Sequence, residues 1–338
     1  LGFELLVDNI YLHRVKNLPM KLYRLALLIV IISILFSCND KKGAPPPIDP
    51  AFTNYIKGFT AGVVSNRASI KIRMAEANSN AKSGEEVNED VFDFSPDIDG
   101  KAFWVDNQTI EFRPKNRLPS GVIYDAEFEL GDLQDVPDKL ETFKFRFQTI
   151  KQDLMYVFEG MQPYDDEELE WQQLSASIQT ADYAELEDLQ KTIKATQDGN
   201  ELSISWEYLG SGNNYHIKID SVARKEQPEE VILSWDGEAI DAETEGEEVI
   251  EIPSLDDFKV MSVQVEQLPE QKITINFSDP LHKSQNLNGL LYTKEADDFT
   301  IRKDRNAVYL YPSTDISGER HLVISKGVKN SLGYALKE

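Results

Sequence analysis

The sequence predicts a mainly β protein built of tandem immunoglobulin-like antiparallel β-sandwiches, the middle one with a short helix. Three observations carry that prediction. Apolar and polar residues alternate with period two along short runs rich in aromatic and β-branched side chains, the pattern of strands with one buried face. Turn residues separate these runs at the spacing of a sandwich, as at Asp99-Gly100 and Pro119-Ser120-Gly121. The chain is 41% hydrophobic and 10% aromatic, an ordinary supply for apolar cores, and its single cysteine, Cys38, leaves those cores to hold without disulfides.

Taken in order, residues 1–19 precede the first methionine, Met20, and read as a non-native upstream leader. Lys21 and Arg24 then introduce an apolar run of about a dozen residues from Leu25, the layout of a secretory signal. A membrane helix needs roughly 20 apolar residues, so this run is too short to span, and residues 20–37 read as a cleaved signal peptide. The run closes on Leu35-Phe-Ser-Cys38, which resembles the lipobox of bacterial lipoprotein signals. That resemblance makes Cys38 the lipid attachment site and the mature N-terminus. Residues 38–50 read as a tether linker, extended by Pro45-Pro-Pro47. The expected location is extracytoplasmic, lipid-anchored to the bacterial cell envelope on the periplasmic side or at the outer membrane.

Residues 51–151 read as the first sandwich, with strands at Ile70-Lys-Ile-Arg-Met, Ala102-Phe-Trp-Val, Thr109-Ile-Glu-Phe-Arg-Pro, Tyr124-Asp-Ala-Glu-Phe and Thr142-Phe-Lys-Phe-Arg-Phe. Alternation assigns Phe103, Val105, Ile110, Phe112, Phe128, Phe143, Phe145 and Phe147 to the core and Trp104 to the outer face. Residues 152–257 read as the second sandwich. Here Thr180 is placed as the cap of a helix whose Ala184, Leu186, Leu189 and Ile193 share one stripe. Strands follow at Leu202-Ser-Ile-Ser-Trp, Tyr215-His-Ile-Lys-Ile, Val231-Ile-Leu-Ser-Trp and Val249-Ile-Glu-Ile, and the run Asp241 to Glu251 reads as an acidic loop. Residues 258–338 read as the third sandwich, which echoes the first. Phe277-Ser-Asp-Pro-Leu matches Phe94-Ser-Pro-Asp-Ile, Ala307-Val-Tyr-Leu-Tyr-Pro matches Thr109-Ile-Glu-Phe-Arg-Pro, and Ser317-Gly matches Ser120-Gly. Pro114 and Pro312 stop a strand, and Gly121 and Gly318 turn the chain into the next.

Charge and motif content narrow the function. With 59 acidic against 35 basic residues the formal net charge is −24, which argues against nucleic acid or anionic lipid as an electrostatic partner. No phosphate-binding glycine loop, His-Glu-x-x-His or Cys-x-x-Cys occurs. His216, His282 and His321 are scattered, without a second ligand at metal spacing. Asp165–Glu170 and Glu243–Glu251 are acid-rich runs, read as solvated rather than tuned for acid–base work. The reading therefore assigns no catalytic residues, no cofactor and no metal, and the chain is expected not to be an enzyme. A surface lipoprotein binding glycan or an envelope protein through its sandwiches is the alternative, with Trp104, Trp171, Trp206 and Trp235 the tryptophans available for a platform.

A family resemblance spans nearly the whole chain after the linker. Its residues are Val91-Phe-Asp-Phe-Ser-Pro with Thr109-Ile-Glu-Phe-Arg-Pro, Gln179-Thr-Ala-Asp, Val231-Ile-Leu-Ser-Trp-Asp-Gly, and Phe277-Ser-Asp-Pro-Leu with Asn330-Ser-Leu-Gly-Tyr. In that order they resemble the N-terminal region of bacterial alpha-2-macroglobulins of the Bacteroidota type. The resemblance implies a lipoprotein of macroglobulin-type sandwiches and, for the full-length protein, entrapment of proteases. It implies further macroglobulin domains C-terminal to this chain and a membrane contact through the lipid. The family's reactive thioester needs a Cys-x-x-Gln pair, which Cys38-Asn-Asp-Lys does not provide, and the bait segment is absent as well. What remains is an anchoring and scaffold segment.

Overall fold

The computed structural model describes residues 45, 47–87, 90–210 and 213–337. Cys38, the signal peptide and the upstream leader lie outside the described residues. From Pro46 onward the chain forms one compact unit. Its buried apolar side chains gather into three clusters, running from Phe52 to Phe147, from Leu154 to Ile252 and from Phe258 to Leu336. It is a β protein of packed, almost wholly antiparallel sheets.

Eight strands enclose the first cluster: β1 (Ile56–Phe59), β2 (Gly62–Val64), β3 (Ile70–Met74), β4 (Phe92–Ser95), β5 (Gly100–Trp104), β6 (Thr109–Pro114), β7 (Ile123–Glu129) and β8 (Thr142–Thr149). One sheet has the order β1-β3-β6-β5 and the other β2-β8-β7-β4, with β2 parallel to β8. The first strand crosses from one sheet to the other at Gly62, whose φ of +75° suits glycine. Phe143, Phe145 and Phe147 face inward from β8, where they meet Phe52, Phe59, Phe94 and Tyr124.

Register reverses one expectation. Trp104 lies opposite Ile110 and Ala102 opposite Phe112, so Trp104 shares the inner face and is buried. Phe103 lies opposite Glu111 on the outer face, under the Arg113 guanidinium 4.8 Å from its ring, and Val105 is exposed past the end of the strand. Alternation alone sets which residues share a face, and the pairing with β6 decides which face is inside. Ile110, Phe112, Phe128, Phe143, Phe145 and Phe147 are buried as expected.

The second cluster is enclosed by β9 (Leu154–Pro163), β10 (Trp171–Thr180), β11 (Ile193–Gln197), β12 (Asn200–Glu201), β13 (Ile204–Tyr208), β14 (Asn214–Ala223), β15 (Glu229–Asp236) and β16 (Glu245–Ile252). Its sheets have the orders β9-β10-β14-β13 and β12-β11-β15-β16. The expected helix is a single turn, α1 (Leu186–Leu189). Thr180 ends β10 and does not cap it, since its hydroxyl donates to the Asp182 carbonyl, and Ile193 opens β11. The acidic stretch expected as a loop is mostly strand: in β16 only Ile250 and Ile252 turn inward, while the glutamates from 245 to 251 are exposed. Burial of one face is enough to hold a strand whose other residues are charged.

The third cluster has β17 (Val260–Glu266), β18 (Lys272–Phe277), β19 (Leu291–Thr293), β20 (Phe299–Asp304), β21 (Ala307–Pro312) and β22 (Leu322–Ile324). One sheet has the order β17-β18-β21-β20, and the other holds only β19 and β22. Of the three echoes between the first and third sandwiches, two fall on equivalent elements. β6 and β21 are each third in a four-stranded sheet, and Gly121 and Gly318 precede β7 and β22. Phe94 and Phe277 do not correspond, because β4 belongs to the sheet of β8 and β18 to the sheet of β17.

The face assignment is testable by urea denaturation. Trp104→Ala is expected to destabilise by about 3–5 kcal/mol, the range for a large aromatic removed from a core. Phe103→Ala, on the outer face, is expected to stay within about 1 kcal/mol.

Candidate functional site

The densest buried chemistry lies where the sandwiches join. Arg224 follows β14 and is fully buried. Its Nε donates to the Pro253 carbonyl at 2.9 Å, and its Nη2 donates to the carbonyls of Ser254 (2.8 Å) and Asp257 (3.1 Å). Its Nη1 donates to the Ser278 carbonyl and pairs with the Asp279 carboxylate, also fully buried. All five guanidinium donors are thereby used, in the planar fork that only arginine offers. The remaining Asp279 oxygen accepts from Asn330 Nδ2 at 3.2 Å, and Asn330 Oδ1 accepts from the Tyr334 amide.

The same joint extends along β9, an edge strand of the second sandwich. Side chains of the third sandwich take its backbone groups one after another. Gln264 Nε2 donates to the Phe158 carbonyl, Ser262 Oγ to Glu159, Asn306 Nδ2 to Met161 and Arg305 Nη2 to Pro163. Asn276 Oδ1 accepts from the Met161 amide at 2.9 Å. The approach needs glycine at 160, because a Cβ there would lie 2.1 Å from Asn276 Oδ1. Arg305 also pairs with Asp166, so the acidic run from Asp165 is partly drawn into the joint.

Between the first and second sandwiches the centre is Asp182, buried in the turn after β10. Its carboxylate accepts from Ser65 Oγ (2.7 Å), the Asn66 amide (2.5 Å) and its neighbour Tyr183. Gln152, in the connection between the sandwiches, bonds the Asp182 backbone in both directions. Arg67 stacks on the Tyr183 ring and, with Arg117, pairs with Glu185.

The three histidines among the described residues are kept apart. His216 Nε2 lies 2.9 Å from Glu159, His282 Nδ1 3.3 Å from the Ser284 hydroxyl, and His321 Nδ1 2.8 Å from Glu295. Glu159 takes the Ser177 hydroxyl as well as His216. Burial raises its pKa, but those two donors outweigh burial and hold the carboxyl below its ordinary range. A carboxylate standing between serine and histidine leaves the imidazole nothing to deprotonate, so the trio is not arranged for nucleophilic attack. The two hydrogen bonds from His321 hold Glu295 at about 2, on the surface. Of the tryptophans, Trp104 is buried, Trp206 and Trp235 pack against the second core, and Trp171 is 53% exposed.

The residues that carry the family resemblance recur here. Asp182 closes Gln179-Thr-Ala-Asp, Asp279 stands in Phe277-Ser-Asp-Pro-Leu, and Asn330 opens Asn330-Ser-Leu-Gly-Tyr. Arg224 had no sequence signal. A lone arginine after a strand reads as surface, and only the fold shows five acceptors around it.

No family model matches the sequence, and no curated protein matches it. Several solved structures align at low similarity. The Bacteroides ovatus mixed-linkage glucan utilization locus SGBP-B, in complex with a heptasaccharide, is 14% identical over 87% of this chain and 66% of its own, with a TM-score of 0.24. The full ectodomain (Ig1–Ig3) of mouse nectin-like molecule 4 is 9% identical over 78% and 95%, at 0.24. L,D-transpeptidase 3 from Mycobacterium tuberculosis, with a faropenem-derived adduct, is 11% identical at 0.22 over 48% of this chain. The aligned region spans 55% of that transpeptidase. Likeness this weak transfers no activity.

The joint between the second and third sandwiches is testable by a double-mutant cycle. Arg224→Met alone strands a buried carboxylate and is expected to destabilise by about 3–5 kcal/mol. Arg224→Met with Asp279→Leu is expected to recover much of that loss, with thermal and urea unfolding as the readout.

Proposed function

We propose that this chain is the non-enzymatic anchoring and scaffold segment of a membrane-tethered, alpha-2-macroglobulin-like protease-trapping inhibitor. The observation that carries the reading is the convergence of the family-like motifs on the joints. Asp182, Asp279 and Asn330 fix one sandwich against the next, which is what a load-transmitting scaffold needs and a catalytic centre does not. Proteases are partners of the full-length protein, through bait and thioester regions that this chain lacks. The membrane is a partner through lipid on Cys38, and further macroglobulin domains adjoin C-terminally. Among the described residues no helix is long and apolar enough to cross a membrane, and no group of three or more metal-binding side chains occurs. The alternative, glycan binding, rests on Trp171 with Tyr164 exposed nearby and the polar Gln173 and Asp220 beside them.

The scaffold reading is tested by mixing residues 39–338 with elastase at equal molarity and following hydrolysis of a small peptide and of a large protein. Both activities are expected to persist unchanged. Selective loss of activity on the large substrate would mean that the segment itself forms a trap. For the tether, palmitate is expected to label Cys38, and Cys38→Ser is expected to abolish the label and leave unprocessed precursor. Labelling that survives in the mutant would overturn the anchor.

A further inference from the structure

The third sandwich has an apolar inner face that its own second sheet does not cover. Val263 and Val265 of β17 pair with Ile275 and Ile273, which pair in turn with Val308 and Leu310. Register therefore puts both valines on the core side of the sheet. Ile275, Val308 and Leu310 are fully buried, yet Val263 is 46% and Val265 59% exposed. The uncovered strip forms a cleft of about 300 Å3 with Phe299, Ile316 and Leu322 on its walls.

The other two sandwiches show what belongs there. In the first, the inner face of β1 lies under β8, with Phe59 against Phe143 and Phe145 at 5.0 and 5.7 Å. In the second, Tyr156 of β9 stacks on Trp235 of β15, and β16 pairs with β15 along its whole length. β8 follows β7, and β16 follows β15, as the last strand of each sandwich. In the third sandwich β22, which stands where β7 does in the first, is the last strand among the described residues, and there it pairs with β19 alone. After Ile324 the chain turns away, buries Val328 and Leu336, and bonds the Lys337 amide to the Phe258 carbonyl at 3.0 Å. That brings the backbone to the start of β17, two residues before Val260, with the cleft lying toward the other end of the strand around Val263, Val265 and Gln267.

We propose that the cleft is the seat of one further β-strand, supplied by the continuation of this polypeptide beyond Glu338. The strand pairs antiparallel with β22 and lays alternate apolar side chains on Val263, Val265 and Phe299, as Phe143, Phe145 and Phe147 of β8 do in the first sandwich. This rests on the reading of the chain as the leading part of a longer protein. The third sandwich is then completed only when the next segment has been made, and that segment is fixed to this one by a shared sheet rather than by a flexible linker.

The test compares amide hydrogen exchange of Leu322–Ile324 in the chain ending at Glu338 and in the same chain extended by about 40 residues of its own reading frame, enough to reach the length of the cleft. The extended chain is expected to exchange these amides at least about tenfold more slowly, with Val265 also gaining protection. Equal exchange in the two chains would overturn the proposal and leave the longer-protein reading standing. A reading frame that closes at Glu338 would overturn both. Protection that appears in the shorter chain and rises with its concentration would also overturn it, since a second copy would then occupy the cleft.

Discussion

A buried guanidinium with every donor satisfied sets the relation between the second and third sandwiches. Taking Arg224 and Asp279 out of water is unfavourable by several kcal/mol per ion, and the pair is tolerable only because carbonyls and Asn330 meet the remaining hydrogen-bonding capacity. Those carbonyls come from Pro253, Ser254 and Asp257 in the connection, so the same interaction that joins the bodies also fixes the path of the chain between them. Once that path is set, β17 lies along β9, and the polar side chains of 262, 264, 276 and 306 reach the edge of the neighbouring sheet. Directional bonds of this kind give one orientation, where apolar contact alone would allow sliding.

The joint between the first and second sandwiches uses the same device with the signs changed. There a buried carboxylate, Asp182, is surrounded by donors from a loop of the first sandwich. Gln152 ties the connection to it through both halves of its amide, as the backbone around 253–257 ties the other connection to Arg224. In both cases a charged group from the second sandwich reads the backbone of a neighbour. The middle sandwich is therefore the one that holds the orientation of the other two.

Strands with an uninterrupted alternation, such as Thr142–Thr149, were legible from the sequence in position and in face. Ala102-Phe-Trp-Val was legible as a strand but not in face, because both parities hold large apolar residues and only pairing with β6 separates them. The short helix was legible but its bounds were not, because an amphipathic stripe over Ala184 to Ile193 is compatible with one turn followed by a strand, and Ile193 is held by β15 rather than by helical neighbours. Val249–Ile252 was legible as a strand, but the first half of β16, Glu245–Glu248, was hidden by its charge, since none of those four residues turns inward. Motifs such as Gln179-Thr-Ala-Asp were visible as landmarks, but their role in the joints depends on residues more than a hundred positions away.

Sheet edges give the uncovered cleft its meaning. An unpaired edge invites association with any extended chain, and charge or cover on that edge prevents it. β16 carries Glu245, Glu247 and Glu248 along its free edge, and β13 carries Glu207. β9 is covered by the third sandwich. β22 has neither protection, for its three residues are Leu322, Val323 and Ile324, and the valines across the cleft from it are uncharged as well. The short edge strand β2 (Gly62–Val64) is uncharged as well, so what sets β22 apart and needs a physical reason is the uncovered apolar sheet face across the cleft from it. A strand that pairs there supplies it: charge would have to be buried on closure, so the edge is kept apolar for the partner that covers it.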